Sequence, residues 1–297
     1  MSLSLPNSYK RSNIAENWVF QVFNDNAYLC FDGVNDFIDL GNTNSSSAIA
    51  VTSSTGISVS FWINFPEVGG NEPIFASNST ATYSGYWIQK GTDNTINFNW
   101  GDDTGAGSQD RRTMVGSTAL SANTWYHILI TSTFANATSG TNIYINNVAE
   151  TISASGTASV TTPTYVSDGK AYIAREDFTN TNYGGKLFLQ NFVVWGAILD
   201  SNNRTAIYNN GNFKSLLHNF GNYNQSSNLK GCWEFNTGEN AATDLTSNLP
   251  IGTIHEAKYE GFLPVSYSDT MIDDIFYSGS VVSRNSTIRD TIDLEKS

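Results

Sequence analysis

Paired carboxylates are the residues of this chain that come nearest to a catalytic pattern. Hydrolysis of a glycosidic bond needs two carboxyl groups that face one cleft, and acids two positions apart on a strand point to the same side. The nearest such spacing is that of Asp293 and Glu295, with Asp290 before them, close to the C-terminus. Glu234, beside Trp233, is better explained as an ordinary strand carboxylate. We therefore predict no catalytic residue and no enzyme activity.

The histidines and the glycine-containing loop at residues 101–107 do not form a catalytic motif either. His127, His218 and His255 lack the spacing of a metal site, and no serine or cysteine nucleophile motif accompanies them. The loop has glycines and acids, but it lacks the lysine of a phosphate-binding loop and does not open a helix. We expect the histidines to be packing or surface residues.

Carboxylates and amides in turns are the candidate metal ligands. Calcium takes oxygen ligands from Asp and Asn side chains and from loop carbonyls. The candidate ligands are Asp32, Asp36, Asp244 and Asn248. The alternative is that these residues only form turns, which is the usual role of Asp and Asn in such places. If the chain holds a cofactor, we expect it to be calcium.

Aromatic side chains near polar loops are the candidate sugar ligands. A sugar is held by aromatic faces, while Asn and Asp side chains bond its hydroxyls. Five aromatic residues lie in or next to polar loops: Tyr83, Tyr86, Trp87, Trp100 and Tyr183. The alternative is that at least Trp87 and Trp100 belong to the core of a sheet.

The composition indicates a β protein that does not bind nucleic acid. Aromatic residues make up 13% of the chain and charged residues 14%. Much of the surface must therefore come from Asn, Ser, Thr and Gly, which favour turns and strands over helices. The formal net charge is -12, so phosphate backbones and anionic lipid would repel the chain. One main domain accounts for the 297 residues, because a single all-β domain often reaches about 200 residues or more.

Short β-rich runs between polar turns predict an antiparallel sandwich or jelly roll. In residues 57–63 the odd positions are apolar and the even ones mostly hydroxyls, which is typical of a strand with one buried face. In the run 125–133, Tyr126, Ile128 and Ile130 form the better core face. The predicted strands are residues 57–65, 86–89, 96–100, 125–133, 142–145, 171–174 and 186–195. The best helical candidate is 201–209, with Gly211 as its stop.

The two ends of the chain are predicted to be arms that contact neighbouring subunits. Residues 1–26 lack the apolar stretch of a secretion signal. Their Trp18, Phe20 and Phe23 lie on a strand that is apolar on both faces and that another surface must cover. Residues 263–297 contain acids and bases but no glycine-bounded hairpin. No segment approaches the roughly 20 apolar residues of a membrane span.

The two cysteines, Cys30 and Cys232, are expected to be free thiols. Each lies in an apolar, strand-like run, as small buried residues do in reduced proteins. The alternative, a disulfide, needs the first and last strands of the sandwich to be neighbours.

Three motifs in order resemble the laminin-G-like and concanavalin A-like jelly-roll domains. They are similar to that family's opening strands, to its Trp-x-His strand with a Tyr-x-Asn hairpin, and to its closing strand with a short helix. The motifs are residues 31–41 with 57–63, residues 120–128 with 142–147, and residues 184–195 with 199–200. The resemblance implies an all-β antiparallel sandwich. The Glu-x-Asp-x-x-Glu signature of the family's glycosidases is absent from the sequence.

The segment at residues 228–254 departs from the family pattern. It is similar to a segment that precedes the domain in many relatives, but here it follows the domain. The resemblance therefore implies that this late segment completes a sandwich spanning residues 27–262. It would also place Cys30 and Cys232 on neighbouring strands.

The lead from Pro6 to Gln21 also resembles the N-terminal lead of structural proteins from marine bacteriophages. This likeness implies a non-enzymatic virion protein, a capsid-surface or tail-appendage subunit made in the host cytoplasm. Its expected partners are other virion proteins and further copies of itself. The alternative is a carbohydrate-binding lectin, or receptor-binding protein, for host-surface glycans.

Overall fold

The computed structural model describes residues 27–52, 54–78, 83–103, 111–176, 183–235 and 241–260. All of them lie in one compact unit, Asp25–Gly261. The arm residues Trp18, Phe20 and Phe23 lie outside the described residues, as does the predicted C-terminal arm, 263–297. The side chain of Tyr183 is also outside the described part. Within that part, no helix is both long enough and apolar enough to cross a membrane.

The described part of the chain forms nineteen strands and one α-helix. The first ten strands are β1 (Tyr28–Asp32), β2 (Phe37–Asn42), β3 (Ile57–Asn64), β4 (Glu72–Asn78), β5 (Ser84–Lys90), β6 (Ile96–Asp102), β7 (Arg111–Val115), β8 (Trp125–Ser132), β9 (Thr141–Ile145) and β10 (Val148–Ala149). The other nine are β11 (Ser153–Gly156), β12 (Lys170–Ile173), β13 (Arg175–Glu176), β14 (Tyr183–Gly184), β15 (Lys186–Trp195), β16 (Leu229–Trp233), β17 (Ala241–Ala242), β18 (Gly252–His255) and β19 (Lys258–Glu260). The helix α1 is Ser201–Tyr208, and single 3-10 turns are Thr138–Gly140, Asn209–Gly211 and Ser226–Asn228.

Two antiparallel sheets form a sandwich, which confirms the predicted fold class. The first sheet has the order β10-β9-β8-β3-β15-β1-β19, and β16 also pairs with β15. The second sheet has the order β11-β7-β6-β5-β4-β12-β2-β18-β17. Strands β13 and β14 form a separate hairpin. Neighbours in sequence are often far apart in the sheets, as in a jelly roll.

The main core lies between the two sheets, and the alternation in the sequence predicts its residues correctly. Strand β3 directs Ile57, Val59, Phe61 and Ile63 into this core. Strand β8 contributes Ile128 and Ile130 from its even positions. Their odd neighbour Leu129 instead joins a second apolar cluster on the other side of the first sheet. Both faces of β8 are therefore covered in this region, because alternate residues point to opposite sides.

The helix α1 and the segment after it cover part of the outer face of the first sheet. Ile207 of the helix, together with Leu216 and Tyr223, packs against Val193 and Trp195 of β15. The indole Nε1 of Trp195 donates to Tyr223 Oη at 3.0 Å, and that hydroxyl donates to the carbonyl of Leu216 at 2.9 Å. The outer face is thus covered at one end of β15.

The helix prediction is confirmed, but the predicted stop is two residues too late. Asp200 caps the first turn by accepting the backbone N–H of Asn203 at 2.8 Å. The helix ends at Asn209, which adopts a left-handed conformation with φ 47°. Asn210 is also left-handed, and Asn tolerates this conformation better than most residues. The chain therefore turns before it reaches Gly211.

Residues 228–254 add strands to both sheets. Strand β16 pairs with β15 in the first sheet, and β18 pairs with β2 in the second. Strand β19, just after this segment, pairs with β1. The late segment therefore adds strands to a sandwich whose other strands come earlier in the chain.

The two cysteines are free thiols, as predicted, but their strands are not neighbours. Cys30 on β1 faces Phe188 of β15, whereas Cys232 on β16 faces Val193 of the same strand. Five residues of extended strand separate these partners by about 16 Å at roughly 3.3 Å per residue. A disulfide needs Cα atoms within about 7 Å, so the two thiols cannot join without a large backbone movement.

Candidate functional site

Two of the predicted sugar ligands, Tyr86 and Trp100, lie in the main core, which corrects the prediction. Both are 0% exposed and belong to the cluster between the sheets. Trp100 Nε1 donates to the carbonyl of Val160 at 3.1 Å. Burial raises the pKa of the Tyr86 hydroxyl. These rings stabilise the sandwich and do not reach a ligand on its surface.

Trp87 points to the opposite side of the second sheet, away from the main core. It packs with Ala76 of the neighbouring strand β4 and with Tyr83. The rings of Tyr83 and Trp87 are stacked, with centroids 5.7 Å apart and planes 29° apart. Trp87 is 1% exposed, whereas Tyr83 is half-buried. Tyr83 is therefore the ring of this pair nearer to solvent.

The register of the second sheet places polar groups beside these rings. Asn99 of β6 lies opposite Trp87 on one side and opposite Thr113 of β7 on the other. Thr113 Oγ1 donates to Asn99 Oδ1 at 2.7 Å. Arg111 is two residues before Thr113 and thus on the same face. Its guanidinium carbon lies 5.1 Å from the ring centre of Tyr83, as in a cation–π pair.

Glu176 of β13 supplies a carboxyl group at the same place. Burial raises the pKa of this carboxyl to about 7, against the opposing effect of the positive charge of Arg111. The group is therefore divided between carboxylic acid and carboxylate near neutral pH, so it can donate or accept a hydrogen bond. We define the outer-face cluster as Tyr83, Trp87, Asn99, Arg111 and Glu176.

A second aromatic group occupies the same face of the second sheet, on strands β2, β12 and β18. Phe37 stacks on His255 with centroids 4.1 Å apart and contacts Tyr172 edge-on at 5.8 Å. The guanidinium carbon of Arg175 lies 4.4 Å from the ring centre of Phe37. The sequence predicted no site at Phe37, Tyr172 or Arg175, and it predicted His255 only as a packing or surface residue. The alternation of β2 was a possible signal, because it directs Phe37 to the face opposite Ile38.

The four calcium candidates lie in two separate turns. Asp32 Oδ1 accepts the backbone N–H of Val34 at 2.7 Å, and Asp36 Oδ2 accepts the N–H of Asp32 at 2.9 Å. Asp244 accepts backbone N–H groups with both of its oxygens, including that of Asn248 at 2.9 Å. No group of three or more His, Cys, Asp or Glu side chains suited to a metal occurs in the described part of the chain. These bonds explain the acids as turn residues, and the calcium prediction stays a prediction.

His127 is a packing residue in the first sheet, in agreement with the sequence analysis. It is 2% exposed, and its Nε2 lies 2.8 Å from Ser60 Oγ. Burial lowers the pKa of His127 to about 3, so the ring is neutral at physiological pH. It therefore carries no charge for ligand binding.

A family model described as the concanavalin A-like lectin/glucanases superfamily matches residues 32–203. The match extends from the end of β1 into α1 and includes β5, β6 and β7, which carry most of the outer-face cluster. The chain belongs to the concanavalin A-like lectin/glucanase superfamily. No curated protein matches the chain.

Solved structures match this lectin/glucanase-superfamily chain at low sequence identity. A Bacteroides ovatus protein proposed to bind carbohydrate is 14% identical, with a TM-score of 0.51 over 84% of this chain and 62% of that one. This chain therefore spans less than two thirds of that structure. A Limulus polyphemus SAP-like pentraxin is 13% identical, with a TM-score of 0.45 over 63% of this chain and 83% of that one. At its identity, the likeness of the Bacteroides ovatus protein is one of fold.

Proposed function

We propose that this chain is a non-enzymatic carbohydrate-binding protein and that the outer-face cluster is its binding surface. The observation that carries the proposal is the arrangement around Tyr83. A half-buried aromatic ring lies beside the cationic Arg111 and close to Glu176, on a sheet face separate from the core. Binding sites of this kind combine an apolar surface with a few polar groups that fix the orientation of the ligand.

Each member of the outer-face cluster has a chemical role in this proposal. The ring of Tyr83 packs against the C–H groups of a sugar, and Trp87 stacks on Tyr83 and holds it in place. Arg111 donates hydrogen bonds to sugar oxygens, and Glu176 accepts or donates according to its protonation state. Asn99, already bonded by Thr113, supports the floor of the site.

The comparisons support the proposal at the level of the fold. The superfamily to which the chain belongs includes lectins and glucanases. The Bacteroides ovatus protein, with a TM-score above one half, is itself proposed to bind carbohydrate. Binding without hydrolysis is favoured because the sequence lacks the Glu-x-Asp-x-x-Glu arrangement of two facing carboxylates.

The virion role is a finer proposal about where the binding protein works. It depends on the predicted arms, 1–26 and 263–297, and on the likeness of the N-terminal lead to phage structural proteins. In this proposal the sandwich is exposed on a particle and binds glycans of the host surface, while the arms contact neighbouring subunits. Deletion of the N-terminal arm tests this part separately.

A glycan array with the purified full-length chain tests the proposed function. We expect binding to one or a few related glycans, and the same array with EDTA tests whether calcium takes part. If EDTA abolishes binding and calcium restores it, the calcium prediction gains direct support. Failure to bind any glycan at micromolar protein concentration would overturn the proposed function.

A further inference from the structure

The outer face of the first sheet has an aromatic region that the second apolar cluster does not cover. Its members are half-buried and come from four different strands. We call this region the first-sheet aromatic patch, and it consists of Tyr28, Trp62, Trp125 and Phe188. None of these residues was a candidate in the sequence analysis.

Strand register brings these residues together. Asn64 of β3 lies opposite Trp125 on one side and opposite Phe188 on the other. Tyr28 reaches over from β1, and its ring centre lies 5.1 Å from that of Trp125 and 5.5 Å from that of Phe188. Three aromatic rings therefore surround one amide side chain.

Trp62 extends the patch along β3. It is two residues before Asn64, so it points to the same face, and it lies opposite Gln190 of β15. Its ring stacks on Tyr208 at the end of α1, with centroids 6.2 Å apart. The patch thus has two amide positions: Asn64, between Trp125 and Phe188, and Gln190, beside Trp62.

The amide of Asn64 has unused hydrogen-bonding capacity beside these rings. Asn64 is 7% exposed, and its Oδ1 has no hydrogen-bond partner among the described residues. Buried polar atoms nearly always have a partner, because losing water without replacing it costs free energy. A hydroxyl group that entered between the rings would satisfy this oxygen.

We infer that the first-sheet aromatic patch is a second carbohydrate-binding surface, specific for a neutral saccharide. The aromatic rings offer faces for sugar C–H groups, and the amides offer acceptors and donors for hydroxyls. No ionised side chain is among the patch or its two amides. The nearby Lys186 is paired with Glu67, at 2.9 Å. At the margin of the patch, Glu260 lies opposite Tyr28 and Lys258 opposite Cys30. These two charges oppose each other, so the patch itself favours a neutral sugar.

The second surface lies on the sheet opposite to the one that carries the outer-face cluster. One chain would therefore bind two saccharides on opposite sides of the sandwich. This inference depends on the residues of the first sheet alone, so it stands or falls independently of the proposed site around Tyr83.

Calorimetric titration of the full-length chain with neutral hexasaccharides tests this inference. The probes are cellohexaose, maltohexaose, laminarihexaose, mannohexaose and xylohexaose. For at least one of them we expect Trp125→Ala and Phe188→Ala each to weaken binding about tenfold, which is the usual effect of losing one aromatic contact. Trp125→Phe should retain most of the affinity. Circular dichroism of each variant confirms that the sandwich is folded.

Two further variants separate the two surfaces. Phe220→Ala removes a half-buried ring outside both surfaces and should leave binding unchanged. Tyr83→Ala should affect only the site on the second sheet. If Trp125→Ala and Phe188→Ala fold and bind every probe as the unaltered chain does, the inference is wrong. If Trp125→Ala instead converts a dimer into a monomer without a change in saccharide affinity, the patch binds a second copy of the chain and the inference is again wrong.

Discussion

Glu176 is the residue of the outer-face cluster whose charge responds to pH near neutrality. Burial raises the pKa of its carboxyl group to about 7 in the folded chain, while an unfolded chain has the ordinary value of about 4.3. Between these two values the folded state holds the proton more tightly than the unfolded state does. The free energy of unfolding therefore decreases as pH rises through this window.

Glu176→Gln should remove this pH dependence, because Gln stays neutral at every pH. We expect the variant to gain about 2 kcal/mol in free energy of unfolding over the unaltered chain between pH 5 and pH 8, allowing for the partial exposure of the group. Urea denaturation at both pH values measures the gain. Glu67→Gln, which removes an exposed carboxylate, is the control. If the stability of Glu176→Gln and of the unaltered chain changed with pH in parallel, the raised pKa of Glu176 would be contradicted.

The sequence predicted some of the site at the residue scale and misplaced the rest. Tyr86 and Trp87 are consecutive in a strand, so one had to face the core and the other the outer face. The sequence did not say which, because both rings are apolar enough for either place. Arg111 and Glu176 became candidates only when the fold brought two distant strands to the same face.

At the scale of elements, Gly85 permits a close approach between β4 and β5. It has φ +69°, and an added Cβ atom would lie 1.6 Å from the carbonyl oxygen of Ser77. Gly85→Ala should therefore lower the free energy of unfolding by about 3 kcal/mol, because backbone strain adds to the clash. Chemical denaturation measures this loss.

Gly69 provides a matched control for this prediction. It also has a positive φ, +90°, but an added Cβ atom would meet nothing within 4 Å. Gly69→Ala should cost only about 1 kcal/mol, the usual effect of placing a side chain on such a backbone. Equal losses of stability for the two variants would show that the close contact with Ser77 is not what excludes a side chain at position 85.

Most central strands could be predicted from alternation, but β4 and β7 could not. In β4 the register shifts between Pro73 and Phe75, so Ile74 and Phe75 are both buried and the alternation is broken. Proline also argues against a strand interior. Strand β7 begins with Arg111 and Arg112, and two charged residues in a row are more typical of a loop than of a buried strand. Arg111 lies beside Tyr83 and Arg112 donates to the carbonyl of Ser155 on β11, and both contacts depend on the tertiary fold.

At the scale of the whole molecule, the sandwich should fold without the N-terminal arm. The two sheets and their apolar clusters consist of residues 27–260. Deletion of residues 1–24 should therefore leave the β-type circular dichroism spectrum and cooperative unfolding intact. If the arm serves assembly, the truncated chain should fail to join its particle. Normal incorporation of the folded truncation would contradict the arm hypothesis and leave the carbohydrate proposal unaffected.

The overall architecture was easier to predict than its binding surfaces. Apolar alternation in residues 57–63 and 125–133 predicted the core face of the first sheet, and short turns implied an antiparallel arrangement. The family resemblance implied that residues 228–254 complete the sandwich, whereas β19 lies beyond that segment. The position of aromatic rings on the outer faces depends on the register between strands that are far apart in sequence. The register of Asn64 with Trp125 and with Phe188 is an example.

The most direct test of the central claim is a calorimetric titration of the full-length chain and Tyr83→Ala with the glycan that binds best on the array. Phe220→Ala is the matched control, because its ring also lies under a cation, Lys214 at 4.0 Å. Carbohydrate binding at the outer-face cluster predicts a dissociation constant about tenfold higher for Tyr83→Ala and unchanged for Phe220→Ala. A folded Tyr83→Ala variant with unaltered affinity would contradict it.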